Sequence, residues 1–432
     1  MHGDATIVLI RLFALCVAVS VGVSLFVRRI ALPPSLVLVL CGLAAGAAVN
    51  VSIAQIPPEV VLLVLVPGLI FEASYKIDLR VLRSTLPAVV LLAGPGVFVT
   101  GIVVALALHL GVGVSIATGF VVGAIVSATD PVAVVAAFRR LHAPRRLSTL
   151  VEAESLFNDG TGIVVFSIAV SALLQPITVE GALVSFVTIV VMSVVIGVVF
   201  GEIGTRLMVH VDDRVLELAI SLLLAYGTYL VADAVHESGI IATAVAGIVL
   251  GNEGRRLGLR TRTFEALDTL WEFLAYLLTA LVFLLVGLAT PLGSFVGELA
   301  AIGWAVAGVL VARAILVYVL LGALRAVRRD VRRALPMSWL HVTFWSGLRG
   351  AIAVALALSL TPGVPDAERI QRIAFGVVLF TLVFQATTVD WLIGRLGIRR
   401  DHRARGQVPA RAPAGAIDAP AVPRAEGRSI DG

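Results

Sequence analysis

Apolar stretches of about 20 residues, separated by short polar, Gly- or Pro-containing joints, recur along the chain as far as residue 398. At about 1.5 Å of helical rise per residue, a stretch of that length crosses the hydrocarbon core of a bilayer. Thirteen are recognisable, at 5–27, 33–49, 59–75, 86–109, 113–137, 148–174, 181–206, 214–233, 239–251, 266–289, 295–324, 336–360 and 370–396. They predict an all-α polytopic membrane protein of about thirteen transmembrane helices. The ninth stretch is short for a span, and the eleventh is long enough to tilt. The first is too long for the apolar core of a signal peptide and runs into Arg28 and Arg29, a stop-transfer pattern.

Polar residues break the apolar pattern in a few places. The fifth span contains Thr129-Asp130-Pro131 and the twelfth contains Gly347-Leu348-Arg349-Gly350. Proline removes a backbone donor and disfavours helix at the residue before it, so Asp130 lies at a predicted helix break. Paired interruptions in two halves of a transporter point to a binding site between inverted repeats built from discontinuous helices. Beyond about Arg399 the chain turns to Ala, Pro, Gly and Arg without hydrophobic period, which predicts a disordered cytoplasmic tail over 399–432.

Composition agrees with the pattern: 59% hydrophobic residues, 14% charged and a mean hydropathy of +1.03 exclude an ordinary soluble domain. The net charge of +5 does not indicate nucleic acid, because the arginines collect in alternate loops. Arg28 and Arg29; Lys76, Arg80 and Arg83; Arg139, Arg140, Arg145 and Arg146 lie in three such loops. Arg206 and Arg214; Arg255, Arg256, Arg260 and Arg262; Arg325, Arg328, Arg329, Arg332 and Arg333 lie in the next three. By the positive-inside rule these loops and the tail are cytoplasmic, and an odd number of spans puts the N-terminus outside. Cys16 and Cys41 both fall within spans and read as small buried apolar residues rather than a disulfide or metal site. No Walker-type phosphate loop is present, so ATP-driven pumping has no support.

A charged residue at the bilayer centre costs about 2.5–3.5 kcal/mol on insertion scales, which makes each one a candidate functional residue. In the sixth span, Glu154-Ser155-Leu156-Phe157-Asn158-Asp159-Gly160 puts Ser155 and Asp159 on one helical face and Glu154 beside Asn158 on the next. Hydroxyl and carboxylate oxygens one turn apart are hard ligands, suited to Na⁺, K⁺ or Li⁺. Asp130 approaches from the unwound part of the fifth span, with the Thr129 hydroxyl and freed carbonyls. The alternative, a hydrogen-bonded helix–helix cluster without transport, suits Ser155 or Asn158 alone better than two intramembrane acids together. Glu72, ending the third span, fits either an ion entrance or an interfacial charge. Arg313 and Arg349 lie too deep to reach either surface and need acid partners, for which Glu154 and Glu72 are the candidates; a Glu154–Arg349 pair is expected. Arg11, in the first span, has no evident partner.

The chain resembles the monovalent cation–proton antiporter-1 family, the NhaP-type sodium/proton exchangers. The resemblance spans about 12–398 and rests on Leu32-Pro33-Pro34-Ser35, 67–72, 127–134, 152–162, 238–251, 271–287, 312–318 and 345–356. It implies an inverted-repeat antiporter fold over 1–398, with a core around spans 4–6 and 11–13, a scaffold from the remaining spans that forms a homodimer, and an elevator-like movement serving pH homeostasis. Carried over by position, Thr129, Asp130, Ser155 and Asp159 are the implied ion ligands, with Glu72 contributing from the third span. Glu154, Asn158 and Arg349 are the implied stabilising network, with Arg313 a further basic position. Asn158 before Asp159 is similar to the electroneutral exchangers of the family. Thr279 departs from the family pattern, which usually has Asn there.

The expected function is therefore exchange of a monovalent cation for H⁺ across a bacterial plasma membrane, without cofactor, nucleic acid or enzymatic step. A passive cation channel and a non-transporting receptor or assembly subunit are the competing classes. Discontinuous helices at an acidic midplane site argue against an open channel, and the absence of an output domain in the tail argues against a receptor.

Overall fold

The computed structural model describes residues 17–19, 21–23, 25, 33–49, 61–175, 177–289, 295–361 and 363–398. Arg11, Cys16, the Arg28–Arg29 pair and the 399–432 tail lie outside these, as does most of the first expected span. Every regular element among the described residues is helical. Lipid offers the backbone no partner, and helices satisfy their own peptide groups.

The helices are α1 (Pro34–Val49), α2 (Val66–Tyr75, continuing a π-helical turn over Val61–Leu65), α3 (Leu79–Ala93), α4 (Pro95–Val112), α5 (Ile116–Ile125) and α6 (Val132–Leu141). There follow α7 (Arg145–Leu174), α8 (Val179–Val209), α9 (Arg214–Ala234), α10 (Gly239–Arg256) and α11 (Thr261–Ala289). The last third holds α12 (Leu299–Ala314), which runs through a π-helical turn (Ile315–Leu320) into α13 (Leu321–Val327), and a short α14 (Arg329–Ala334) within the basic loop. It ends with α15 (Met337–Trp345), α16 (Ala351–Leu358) and α17 (Ala367–Phe380), the last joined by a π-helical turn (Thr381–Gln385) to α18 (Ala386–Arg395).

Seven helical stretches among the described residues are long and apolar enough to cross a membrane, and Pro34–Gly46, Leu62–Tyr75 and Ile116–Ile125 are shorter apolar helices. The joints are where the polar residues of the sequence put them. Asp78, Ser115, Thr178, Asp213 and Ser238 each cap a helix start by accepting a backbone N–H two or three residues on. The fifth and twelfth expected spans are each broken, with 126–131 and 346–350 non-helical between α5 and α6 and between α15 and α16. The fourth is also interrupted, a feature the apolar pattern of 86–109 did not suggest. Gly94 leaves the helical region at φ −86°, ψ −89°, and Pro95 restarts the helix as α4.

Two groups of helices result. In one, α3 lies along α7, α5 packs between α4 and α7, α4 lies along α12, and α16 and α17 pack together beside α5. In the other, α10 is surrounded by α8, α2 and α9, while α1 lies along α11. Small residues permit the closest approaches: a Cβ at Gly287 would lie 2.9 Å from the Gly42 Cα, so α1 and α11 cross backbone to backbone. Trp271 is fully buried where α2, α9, α10 and α11 meet, its ring 4.7 Å from that of Phe71.

Candidate functional site

The two broken spans meet at their gaps, where the Asp130 backbone N–H donates to the Leu348 carbonyl at 2.8 Å. Breaking two helices inside a membrane creates four ends: the C-termini of α5 and α15 and the N-termini of α6 and α16. Each end leaves backbone groups without an intrahelical partner, and the intramembrane polar residues supply those partners one by one.

Asp130 serves both N-termini. Its carboxylate accepts from the N–H of Val132, the first residue of α6, at 2.9 Å and faces the N–H of Ala351, the first residue of α16. Two positive helix poles thus converge on one acid. Gly350 makes this possible, because a Cβ there would lie 2.6 Å from Cγ of Asp130. Arginines serve the opposite poles. Arg349 Nη1 donates to the Ser127 carbonyl at 2.7 Å and lies 3.4 Å from that of Ala128, beyond the end of α5. Arg313 donates to the Thr343 carbonyl in the last turn of α15 from Nη2 at 2.7 Å and from Nε at 3.1 Å.

Helix α7 forms the wall of the site. The Ser155 hydroxyl donates to the Thr129 carbonyl. Asn158 Nδ2 donates to the Ser127 carbonyl at 2.6 Å and lies 3.4 Å from the Thr129 hydroxyl. Asp159 follows, 7% exposed, with the Thr129 backbone N–H facing its carboxylate and Asp130, Glu154 and Arg349 as the charges around it. Asp159 Oδ1 and Asn158 Oδ1 are buried acceptors without a hydrogen-bond partner among the described residues. Buried acceptors are rarely left so, and oxygens of this kind beside the Asp130 carboxylate suit a hard monovalent cation arriving as substrate.

Thr129, Asp130, Ser155 and Asp159 are therefore brought together, and Asn158 and Arg349 hold the unwound chain beside them. One expected pairing is replaced. Glu154 meets Arg313 instead of Arg349, in a fork with Nη1–Oε1 at 2.7 Å and Nη2–Oε2 at 2.9 Å, both side chains almost fully buried. Arg349 is instead engaged by the carbonyls of span 5, a use the sequence could not reveal because those carbonyls are free only where the helix stops. Glu72 is not in the cluster. It pairs with Lys76 at 2.7 Å, one turn along, and Lys76 lies 3.1 Å from Glu272 of α11. Among the described contacts, none joins Glu72 to Asp130 or Asp159.

Two residues at the site escaped the sequence reading. The Thr161 hydroxyl, two residues beyond Asp159, donates to the Ala93 carbonyl at 2.5 Å and so serves the break at Gly94. Thr381 accepts from the backbone N–H of Arg349 at 3.0 Å. The Gly94-Pro95 dipeptide was a legible signal for the first; a lone threonine in an apolar helix gave none for the second.

Comparison with known proteins follows the same lines. A family model described as sodium/hydrogen exchanger, transmembrane, matches residues 14–394. The chain is similar to the Na(+)/H(+) antiporter ApNhaP of Aphanothece halophytica, at 36% identity over 403 residues, covering 91% of this chain and 76% of that one. It is 32% identical over 412 residues to the Na(+)/H(+) antiporter NhaH of Halobacillus aidingensis, covering 92% of this chain and all of that one. The solved structure of the sodium proton antiporter MjNhaP1 of Methanocaldococcus jannaschii at pH 8 superposes with a TM-score of 0.75 at 21% identity, over 91% of this chain and 99% of that one. The fold is thus the antiporter fold, with two discontinuous helices crossing at half-buried Asp130 beside buried Asp159, and the chain belongs to the sodium/hydrogen exchanger family of multi-pass membrane proteins.

Proposed function

We propose that this protein is a secondary antiporter exchanging a monovalent cation, Na⁺ foremost and K⁺ or Li⁺ by the same chemistry, for H⁺. The observation that carries the reading is the pair of acids, Asp130 and Asp159, at the helix crossing, with Asp159 Oδ1 buried and unpartnered among the described residues. Two bare carboxylates in a low-dielectric site repel. A proton or a cation relieves that repulsion, and the two compete for the same oxygens. With the Arg349 guanidinium beside the two carboxylates, the empty site carries one net negative charge. One proton or one cation neutralises it, and only a neutralised site crosses the membrane readily, so competition alone couples the two fluxes without a separate proton path. With Asn158 in place of a further acid, one cation substitutes for one proton and the exchange carries no net charge.

The moving core is assigned to spans 4–6 and 11–13, because these hold both breaks and all the residues that serve them. The remaining spans form the scaffold. Helix α8 exposes Leu183, Val187, Val191 and Val195 along its length, an apolar face that suits lipid and a second copy in a homodimer. The alternation of basic loops supports an outside N-terminus and a cytoplasmic tail in a bacterial plasma membrane.

Inverted membrane vesicles with an imposed proton gradient test the reading. Adding Na⁺, K⁺ or Li⁺ should release lumenal H⁺, and Asp130→Asn, which keeps shape while removing charge, should abolish the release. Substantial exchange by a well-inserted Asp130→Asn protein would reject the assignment. Cation flux without proton movement would mark a passive pore instead.

A further inference from the structure

The broken segment of span 12 is held by one peptide unit, that between Leu348 and Arg349, and both ends of this unit are occupied. Its carbonyl accepts from the Asp130 backbone N–H at 2.8 Å. Its N–H donates to the Thr381 hydroxyl at 3.0 Å. Thr381 opens the π-helical turn Thr381–Gln385 of span 13 and is 2% exposed. Its own proton goes back to the Val378 carbonyl at 2.9 Å, the nearer of two acceptors, the Arg349 carbonyl lying at 3.4 Å, and the hydroxyl oxygen is left to accept from the Arg349 N–H. The chain of contacts therefore runs from span 13, through a peptide that no helix stabilises, to the backbone of the acid in span 5. The same peptide carries Arg349, whose guanidinium holds the Ser127 carbonyl at 2.7 Å alongside Asn158.

The geometry points to Thr381 as a positioning residue for ion binding, one that sets the Leu348–Arg349 peptide and through it the placement of Asp130 and of the Ser127–Thr129 carbonyls. Nothing at this peptide replaces the hydroxyl if it is removed. Segment 346–350 is outside any helix, the Thr381 hydroxyl is the one acceptor of the Arg349 N–H among the described contacts, and a buried peptide dipole with one end free is held from the other end only. The peptide is then able to rotate, and a ligand set loosened by a fraction of an ångström binds a bare cation less well. Among the described contacts Thr381 bonds neither Asp130 nor Asp159, so its loss weakens affinity and leaves the acids themselves intact.

The proposal rests on the antiport reading, and a single assay separates the two. The full-length protein is reconstituted in liposomes, and Na⁺-driven H⁺ movement is measured across Na⁺ concentrations for wild type, Thr381→Val, Thr381→Ser and Thr381→Ala. Thr381→Val, equal in shape but without the acceptor, should raise the KM for Na⁺ about tenfold, ~1.4 kcal/mol, with the maximal rate within about twofold of wild type. Thr381→Ser should restore a KM near that of wild type. A Thr381→Val KM within about twofold of wild type overturns the proposal, as does a Thr381→Ser protein impaired to the same degree as Thr381→Val. Should Thr381→Val fail to insert, Thr381→Ala carries the same comparison. Failure of both to insert while Thr381→Ser inserts makes Thr381 a folding residue and also overturns it. A wild-type protein that moves no H⁺ on Na⁺ addition rejects the antiport reading itself.

Discussion

At the scale of single residues, the site is built by giving each dangling backbone group a charged or polar partner of the matching sign. Asp130 lies at the two helix N-termini, and Arg349 and Arg313 lie at the two C-terminal ends, which is the order the helix dipole favours. Gly350 is the tightest element of this arrangement. Its side of α16 touches the Asp130 carboxyl so closely that even a methyl group has no room. Gly350→Ala should therefore press Asp130 out of place, with strain of about 1–3 kcal/mol, and lower exchange roughly tenfold or more. Vesicle exchange together with a Na⁺-dependent thermal shift checks this; unchanged values in both would show that α16 tolerates the methyl group and that the contact does not fix Asp130.

At the scale of elements, α7 and α12 are joined through Glu154 and Arg313 while the crossing is joined through Arg349. The Glu154–Arg313 fork is buried on both sides, so removing one member leaves a charge without its partner, at a cost of about 3–5 kcal/mol. Glu154→Gln and Arg313→Met should each lower stability in detergent by that order, and the double substitution by less than their sum. Part of the loss should persist, because Arg313 also serves the Thr343 carbonyl. A Glu154→Gln, Arg349→Met double variant supplies the contrast: both charges surround Asp159 without pairing with each other, so their coupling should be weaker than that of Glu154 with Arg313. Unfolding midpoints for the two cycles decide the matter, and strong coupling of Glu154 to Arg349 but not to Arg313 would contradict the observed pairing.

At the scale of the whole molecule, the consequence is a rate law. If cation and proton share the Asp130–Asp159 site, lowering the pH fills more sites with protons and the KM for Na⁺ rises, by up to about tenfold per pH unit, the limit for one competing proton. Saturating Na⁺ should restore the rate over that limb. At high pH the proton becomes scarce as the returning substrate and turnover falls again, so the profile at fixed Na⁺ is bell-shaped and its limbs describe the pair. Initial rates of H⁺ movement over a grid of pH and Na⁺ concentration are the measurement. A KM constant across the acid limb, with only the maximal rate changing, would place the competing proton somewhere other than this site.

Sequence alone determined the membrane class, the all-helical fold and the break at Asp130-Pro131, because each follows from local chemistry. Apolar length sets what lipid accepts, and proline ends a helix wherever it falls. It also determined that Asp159, Ser155 and Asn158 ride on one helix, since spacing along α7 is fixed by helical geometry. Which arginine meets Glu154 was beyond its reach. Arg313 and Arg349 are equally deep and equally in need of a partner, and only the packing of α12 against the crossing separates them. Thr381 was silent for a related reason: its hydroxyl matters only because the Arg349 N–H of a broken span lies within hydrogen-bonding distance, whereas the Gly94-Pro95 break that Thr161 serves was legible. Local pattern tells where a helix stops. Which distant side chain completes the stopped end is decided by three-dimensional neighbours, and those exist only once the chain has folded.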